Sequence, residues 1–223
     1  MNEADAITIV GGADGPTAIF IAGKFGGEQM LFQTIAIIIL LLFYGCYFAK
    51  MLGQRKKGIQ TDQMGKGKQG FVKWIEIIMK IATFAVPMVE LVSILLGTSQ
   101  FSTWVRMVGA VIAALGVTAF MCAVITMRDS WRAGVSKTEH TELVTSGIYQ
   151  ISRNPAFLGF DLVYIGILLL FFNWILFVIS AFAALMFHLQ IVNVEEEFLN
   201  EAFGDTYQNY AKKVNRYLGR TCK

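Results

Sequence analysis

The segment SGIYQISRNPAFLGF, Ser146–Phe160, places a group of polar residues directly before a long apolar run. Asn154 and Pro155 are typical of a helix start, because asparagine is a preferred N-cap and proline is well tolerated at the first helical position. The apolar run continues to Phe172, and these 18 residues would form a helix about 27 Å long. The segment therefore predicts a helix that begins at a polar surface and is nearly as long as the hydrocarbon core of a bilayer is thick.

The rest of the chain has the composition of a membrane protein. Of its 223 residues, 55% are apolar and only 16% are charged, against about 25% charged residues in soluble domains. We predict an all-α integral membrane protein of about five transmembrane helices, in which the last two form a hairpin turned at Asn173. An alternative has four spans, with residues 155–192 dipping into the membrane and out again. The five predicted spans are Met30–Leu52, Trp74–Leu96, Trp104–Met127, Pro155–Phe172 and Trp174–Val192.

The basic residues lie mainly in segments that would share one side of the membrane. Sixteen of the 19 Lys and Arg residues fall within residues 50–73, within residues 128–153 or after the last span. The positive-inside rule then predicts an outer N-terminus and a cytosolic C-terminus, as in a bacterial inner membrane. The N-terminus carries acidic residues where a signal peptide has basic ones, so no cleavage is expected. We interpret Gly53–Gly70 as a solvated basic loop near anionic headgroups.

The N-terminal stretch ITIVGGADGPTAIFIAGK, Ile7–Lys24, is rich in glycine. It lacks the Gly-Lys-Ser/Thr end of a phosphate-binding loop, and we interpret it, including Gly11–Lys24, as an outer turn or re-entrant segment. Over its 18 residues it resembles part of the membrane subunit of sodium-pumping decarboxylases, where an aspartate like Asp14 lies near the ion path. We divide the chain into an outer glycine-rich segment (1–29), three spans with a basic cytosolic loop (30–126), and a core of cytosolic loop, helical hairpin and cytosolic C-terminal helices (127–223).

Two polar clusters are predicted to meet at the cytosolic end of the hairpin. The helix start at Asn154 has free backbone N–H groups that suit an anion, and Arg153 adds a positive charge. Asn154, Phe157 and Asp161 share one helix face, and a carboxylate within a span usually faces a protein interior or a cavity. The second cluster, Glu195–Glu197, begins where the last span leaves the membrane.

Four other charged or polar residues receive structural interpretations. Glu76 and Lys80 have the spacing of an i, i+4 ion pair. His188 is interpreted as a hydrogen-bonded contact between helices. Glu90, close to Pro87, is expected either to bond backbone groups freed by a kink or to take part in a cavity. No His/Cys cluster has ligand spacing, so no metal site is predicted.

Two further features concern the helices themselves. Gly109 and Gly116 would allow close helix packing. The segment Val194–Arg216 is charged but keeps apolar residues at helical spacing. It predicts that the fifth helix continues into the cytosol and is followed by a second short helix that lies against the membrane.

Two motifs, LVTSGIYQISRNPAFLG and EEEFLNEAFGDTYQNYAKKVNR, lie on either side of the hydrophobic hairpin. Together they resemble the isoprenylcysteine carboxyl methyltransferase family, which is related to the phospholipid N-methyltransferases. The resemblance covers roughly residues 127–218, and SWRAGV, Ser130–Val135, is similar to the approach to the family's site. The matching positions are Gly147, Tyr149, Arg153, Pro155 and Gly159 in the first motif, and Glu195, Glu196, Leu199, Phe203, Gly204, Tyr207, Tyr210, Val214 and Arg216 in the second.

The chain departs from the family pattern at three positions. Ile148 stands where proline is usual, Asn154 where histidine is usual, and Phe157 where tyrosine is usual. The usual histidine and tyrosine belong to the family's cofactor site. Asparagine keeps a hydrogen-bond donor but does not titrate near neutral pH, and phenylalanine keeps the aromatic face without the hydroxyl.

The resemblance implies a membrane-embedded S-adenosylmethionine-dependent methyltransferase. Its acceptor would be a lipid-like or apolar small molecule, and no nucleic-acid partner is expected. We expect Arg216 to dock an acceptor carboxylate, or Glu196 or Asp161 to help remove a proton from an acceptor amine. Carboxylate O-methylation and amine N-methylation both stay open. The implied cofactor-binding residues are Leu143, Val144, Gly147, Tyr149, Arg153, Asn154, Pro155, Phe157, Glu195 and Glu196.

Two other functional classes stay open at this point. The departures at Asn154 and Phe157 favour a non-catalytic membrane protein of the same fold, and the glycine-rich N-terminus favours an ion-handling accessory subunit. A membrane reductase with a nicotinamide cofactor would have a similar hairpin core, but the sequence has no further basic pocket for a 2′-phosphate. The intact second motif favours the methyltransferase.

Overall fold

Helices make up most of the structure, a computed structural model that describes residues 7–10, 18–21, 25–65, 68–132 and 142–221. Two short strands precede the helices. The six helices are α1 (Phe25–Lys56), α2 (Gly70–Leu96), α3 (Thr103–Met127), α4 (Pro155–Leu170), α5 (Trp174–Gln190) and α6 (Glu196–Ala211).

The five predicted spans correspond to α1–α5. In the described part of the chain, four helical segments are long and apolar enough to cross a membrane: α1, α2, α3 and the continuous segment Trp174–Ala211. The remaining predicted span corresponds to α4, which is apolar but has only 16 residues, or about 24 Å of helix. Large apolar side chains point outward from the bundle, such as Phe84, Leu96 and Trp104, each more than 70% exposed. An apolar outer face of this kind is suited to lipid, and the integral membrane fold is confirmed.

The N-terminal strands form a small hairpin that the sequence did not predict. Strands β1 (Ile7–Val10) and β2 (Ala18–Ile21) pair antiparallel, with Ile7 opposite Ile21. Asp14 and most of the glycine-rich stretch Gly11–Lys24 lie outside the described residues.

The closest helix pair is α3 with α4, and glycines make its close approach possible. A Cβ added at Gly116 would meet the carbonyl oxygen of Gly159 at 2.8 Å, and one added at Gly109 would meet that of Gly166 at the same distance. Small residues let helix backbones come this near in a membrane protein. The predicted role of Gly109 and Gly116 in close packing is therefore confirmed, within one chain.

An aromatic core lies beside this interface and joins it to α1. The ring centroid of Phe43 on α1 is 4.7 Å from that of Phe120 on α3 and 4.7 Å from that of Phe160 on α4. Rings at these distances and tilts pack favourably. The core ties three helices together near the ends of the bundle where α1 finishes and α2 and α4 begin, which we call the basic end.

The buried Arg106 on α3 is accommodated at the opposite end of the bundle. Its Nε donates to the carbonyl oxygen of Leu170, the last residue of α4, at 3.2 Å, and its guanidinium lies 4.1 Å from the ring centroid of Phe32. The charge thus satisfies a free carbonyl at a helix end and stacks on an aromatic face.

The junction between α5 and α6 departs from regular α-helix, which changes the direction of the side chains that follow it. Residues Ile191–Glu195 form one wide π-helical turn that links the two helices into a continuous rod. Such turns shift the side chains that follow them around the helix axis. Further on, Gly204 has φ 46° inside α6, a conformation that favours glycine. The helix continues beyond α5 as predicted, and the non-helical Gly204 divides a second short helical part from it; their placement in the cytosol and against the membrane stays a prediction.

Candidate functional site

A cavity of about 170 Å³ opens at the basic end of the bundle. On the same measure one water needs only about 10–15 Å³, so the cavity has room for a small molecule. Its lining combines aromatic rings with a few charged groups. The lining residues are Tyr47, Met64, Met79, Thr83, Met127, Trp131, Arg132, Glu142, Leu143, Val144, Tyr149, Arg153, Asn154, Ala156, Phe157, Phe160, Phe187, Glu195, Leu199, Tyr207 and Tyr210.

The start of α4 forms one edge of the cavity. Pro155 is the first helical residue, as predicted, and Asn154 occupies the N-cap position without a side-chain capping bond. The predicted capping role of the Asn154 side chain is therefore wrong. Its Nδ2 instead donates to the carbonyl oxygen of Arg216 at 3.1 Å, while the Oγ of Ser152 accepts from the Asn154 backbone N–H. The side chain is used to hold the C-terminal segment, which competes with local capping.

The C-terminal segment docks along the residues before α4. The backbone N–H of Arg153 donates to the carbonyl of Asn215 at 3.1 Å, and that of Gly219 donates to the carbonyl of Ile151 at 2.7 Å. The Tyr210 hydroxyl donates to the carbonyl of Tyr149 at 2.6 Å. These bonds bring the two polar clusters together at one end of the hairpin, as the sequence predicts.

Glu196 joins the two arginines of the motifs. Arg216 binds it through two parallel hydrogen bonds of 2.8 Å, from Nε and Nη2. The Nη1 of Arg153 lies 3.1 Å from the same carboxylate and donates to the Tyr207 hydroxyl at 2.7 Å. The hydrogen bond with Glu196 raises the pKa of Arg216. Two-pronged pairing of this kind fixes direction as well as charge.

Glu195, the neighbour of Glu196, faces the cavity. Its Oε1 accepts one hydrogen bond, from the Nε2 of Gln190 at 3.4 Å. Glu195 lies at the end of the π-helical turn, and it lines the cavity whereas Glu196 does not. Nothing in the linear sequence indicated that turn.

Some of the predicted site residues line the cavity and others lie outside its lining. Gly147 has φ +58° and packs against Thr126, next to the cavity rather than in its lining. Asp161, Glu196 and Arg216 also lie outside the lining. Seven of the predicted cofactor-binding residues line the cavity: Leu143, Val144, Tyr149, Arg153, Asn154, Phe157 and Glu195.

Tyr149 is the most enclosed of the residues that line the cavity from the first motif. It is 6% exposed, and burial raises the pKa of its hydroxyl well above the usual range. The group therefore stays neutral at physiological pH and can serve only as a hydrogen-bonding and stacking surface.

Asp161 belongs to a second group, between α4, α5 and the C-terminal segment. Its Oδ1 is buried and has no hydrogen-bond partner among the described residues. It lies near Tyr217, whose pKa is raised by burial and then by the Asp161 carboxylate. The Tyr217 hydroxyl is 2.5 Å from the Nδ1 of His188. His188 is thus hydrogen-bonded as expected, but the expected contact between helices is wrong, because Tyr217 lies after the end of α6.

The predicted Glu76–Lys80 pair is wrong. Glu76 is fully buried and is bound by Lys68, whereas Lys80 pairs with Asp62. Gly65 and Lys68, which precede α2, both contact the Glu76 carboxylate, so Glu76 has a closer cation there than on its own helix. The interpretation of Gly53–Gly70 as a solvated loop is wrong at Gln54, Thr61 and Gln63, whose side chains are buried.

A further carboxylate lies deeper in the bundle. Glu90 is fully buried, and in the described part of the chain neither carboxylate oxygen has a hydrogen-bond partner. The hydroxyls of Tyr44 and Tyr164 are buried close to it. The interpretation that Glu90 bonds backbone freed near Pro87 is therefore wrong, and Glu90 is not among the residues that line the cavity at the basic end.

The apolar wall of the cavity was not found from the sequence. Tyr47 on α1, Thr83 on α2 and Phe187 on α5 face the same space as the motif residues. They lie within apolar runs whose residues have similar composition on all sides, so no linear signal separates a lining residue from one that faces lipid. Only the packing of the helices selects them.

Comparison with known proteins places these features in a class of membrane methyltransferases. The phospholipid methyltransferase family model matches residues 104–206. Protein-S-isoprenylcysteine O-methyltransferase of Saccharomyces cerevisiae is 30% identical over 204 residues, which cover 87% of this chain and 84% of the yeast protein. Proteins B and A of that name from Arabidopsis thaliana are 31% and 32% identical over 113 residues, or 50% of this chain.

The extent of the yeast match is decisive. The chain belongs to the isoprenylcysteine carboxyl methyltransferase family, and the resemblance read from its two motifs is confirmed. The match spans 57% of the length of each Arabidopsis protein, little more than half.

Proposed function

We propose that this chain is a membrane methyltransferase that uses S-adenosylmethionine to methylate the carboxylate of an apolar, lipid-like acceptor. The observation that carries the proposal is the cavity at the basic end, because the two family motifs supply its polar side and α1, α2 and α5 supply its apolar side. The names of the yeast and plant relatives describe O-methylation of an isoprenylcysteine, which supports an apolar acceptor and an oxygen nucleophile here.

The residues of the cavity fit the methyl donor, which supplies an activated methyl group on a sulfonium. The Glu195 carboxylate, which accepts a long hydrogen bond from Gln190, can also accept from ribose hydroxyls or from the amino group. The Nε of Arg153 is buried without a hydrogen-bond partner in the described part of the chain, and it can donate to the donor's carboxylate. The rings of Tyr149 and Phe157 offer faces for the adenine or the cationic sulfur.

The chain's own contribution to the reaction is alignment and the exclusion of water, which can account for several kcal/mol of a barrier. Glu196 holds Arg153 and Arg216 in fixed positions between the two motifs. Arg216 uses Nε and Nη2 for this pair, and its Nη1 makes no hydrogen bond to the described residues. That remaining donor suits an acceptor carboxylate, which needs no base to become a nucleophile.

Binding of S-adenosylhomocysteine to the purified protein in detergent tests the cofactor. We expect Glu195→Gln to weaken binding at least tenfold, because Glu195 faces the cavity. Glu197→Gln is the matched control, since Glu197 lies on the same helix and is exposed. Calorimetric titration of wild type and both variants measures the effect. No binding to folded wild-type protein would refute the proposal, and equal loss in both variants would remove Glu195 from the site.

Amine N-methylation is the second candidate, and Asp161 is the observation that favours it. Its unpartnered Oδ1 can take a proton from an amine nucleophile. Methyl transfer to an S-prenylated N-acylcysteine and to a phospholipid amine should be compared in wild type and Asp161→Asn. Transfer to the carboxylate that is unchanged in Asp161→Asn supports O-methylation, and transfer to the amine that is lost in the variant supports N-methylation.

The proposal includes the orientation expected from the basic residues, with the N-terminus outside, the cavity facing the cytosol, and a bacterial inner membrane as the location. Alkaline phosphatase fused after Arg220 should be inactive in a bacterial host, because that enzyme folds only outside the cytosol. An active fusion would reverse the orientation.

A further inference from the structure

The residues between α1 and α2 are attached to the helices through Glu76. This carboxylate is fully buried. Its Oε2 accepts from the backbone N–H of Gly65 at 2.6 Å, and its Oε1 is bound by the ammonium group of Lys68, whose side chain is only 10% exposed. A charge buried this deeply is stable only when it is paired and hydrogen-bonded. The Lys68 ammonium group and the Gly65 N–H therefore compensate the buried charge of Glu76.

The attached residues form part of the cavity. Met64, directly before Gly65, is in the lining. Thr61 is buried and donates to the Oε1 of Gln54, and the Nε2 of Gln54 donates to the carbonyl oxygen of Trp131 at 2.8 Å. Trp131 lines the cavity from the other side. Thr61 and Lys68 are thus each bonded to a buried side chain of the helices, and Met64, between them in the chain, lines the cavity.

A single glutamine connects this attachment to Glu195. The Nε2 of Gln190 donates to the Oε1 of Glu76 at 3.3 Å and to the Oε1 of Glu195 at 3.4 Å. An amide nitrogen has two hydrogens, one for each carboxylate. Gln190 is itself fully buried. It separates two carboxylates that would repel each other, and it restrains the direction of Glu195 toward the cavity.

We propose that Lys68 and Glu76 act as a clasp that holds the α1–α2 connection over the cofactor cavity and, through Gln190, positions Glu195. Lys68, Glu76 and Gln190 are positioning residues, since none of them lines the cavity. The inference rests on the proposed function and assigns the basic connection to cofactor retention.

Lys68→Met breaks the clasp, and Lys68→Arg retains its charge. We expect Lys68→Met to weaken S-adenosylhomocysteine binding at least tenfold, and Lys68→Arg to bind within about threefold of wild type. Lys80→Met is the matched control, because Lys80 forms an exposed pair with Asp62 on the same connection. It should bind as wild type does. Calorimetric titration in detergent measures all four proteins.

Limited trypsin digestion separates clasp action from general loss of structure. Bound S-adenosylhomocysteine should slow cleavage at Arg55–Lys57 in wild type and in Lys80→Met. It should give no protection in Lys68→Met at a concentration that saturates that variant. If Lys68→Met does not fold, Gln190→Leu tests the same connection, since it cuts the link to Glu195 and leaves the ion pair intact. Binding weakened severalfold with protection retained is the expected result.

The outcomes distinguish this inference from the proposed function. Wild-type binding that is unchanged in Lys68→Met, or in Gln190→Leu where only that variant folds, overturns the clasp and leaves the cofactor site standing. Failure of wild type to bind S-adenosylhomocysteine overturns the proposed function and the clasp with it.

Discussion

Two walls of the cavity use the same chemistry but differ in what the sequence reveals of them. The motif wall consists of the α4 start and the C-terminal segment, with Glu196 bound by Arg153 and Arg216. The connection wall consists of the residues between α1 and α2, with Glu76 bound by Lys68. Each wall has a buried or half-buried carboxylate paired with basic side chains or a basic side chain: Glu196 with two arginines, and Glu76 with Lys68, eight residues before it. Only the motif wall was recognised from the sequence.

The two walls also differ in burial. The Glu76 side chain is 0% and the Lys68 side chain 10% exposed, against 16% for Glu196 and 34% for Arg216. A charge that has lost its water depends more on its partner, because removal of the partner leaves it uncompensated. The stability of the connection wall should therefore depend more on its ion pair. In the motif wall, the charge of Glu196 is compensated by two arginines and by partial contact with water.

The largest expected effect on stability comes from the α3–α4 contact, which supports both walls of the cavity. Gly116→Leu forces a side chain against the backbone of α4, where even a Cβ would lie 2.8 Å from the Gly159 carbonyl oxygen. We expect a loss of about 3 kcal/mol or more, seen as a lower Tm in detergent or as failure to isolate folded protein. The control is Gly45→Leu, since Gly45 on α1 has no atom near its Cβ position. A wild-type Tm for Gly116→Leu would contradict the tight α3–α4 contact.

The next effect is on the connection wall. Lys68→Met removes the counter-charge of a fully buried carboxylate, and we expect a destabilisation of about 3 kcal/mol. The exposed Lys80–Asp62 pair gives the scale for an ordinary surface pair, so Lys80→Met should cost less than about 1 kcal/mol. Thermal unfolding of the two variants measures the difference. Equal destabilisation would show that the Lys68 pair behaves as a surface pair.

A smaller effect is expected on the motif wall. Arg216→Met leaves Glu196 with Arg153, which lies 3.1 Å from its carboxylate, and with partial access to water. We expect a cost of about 1–2 kcal/mol, between the values for exposed and buried pairs. The same thermal scans apply, and the comparison is sharpest when Lys68→Met is run beside it. The ranking of the two walls is wrong if Arg216→Met proves the more damaging.

The smallest expected effect is the loss of one hydrogen bond between the motifs. Tyr210→Phe removes the 2.6 Å bond to the Tyr149 carbonyl and should cost about 1 kcal/mol. Binding of S-adenosylhomocysteine should change less than threefold, since the aromatic surface stays in place. A tenfold loss of binding would mean that the Tyr210 hydroxyl contacts the ligand.

The sequence predicted the helices well because apolar runs of membrane length have few alternative structures. It also predicted the meeting of the two polar clusters, since a short turn at Asn173 leaves the hairpin one arrangement. It failed at Asn154, whose side chain was assigned to its own helix end and in the structure holds the carbonyl of Arg216. Local propensity describes what a residue can do nearby, and a distant partner of better geometry overrides it.

Sequence alone determined that this is a helical membrane protein with a polar site at the basic end, because hydropathy, charge bias and ordered motif spacing are linear properties. The tertiary structure decided which carboxylate faces the cavity, since the packing of the helices and the π-helical turn before α6 set the direction in which Glu195 and Glu196 point. It also decided that Glu76 pairs with Lys68 rather than with Lys80. The physical reason is that a buried charge takes the nearest partner in three dimensions, and the fold of the connection places that partner where no spacing rule applies.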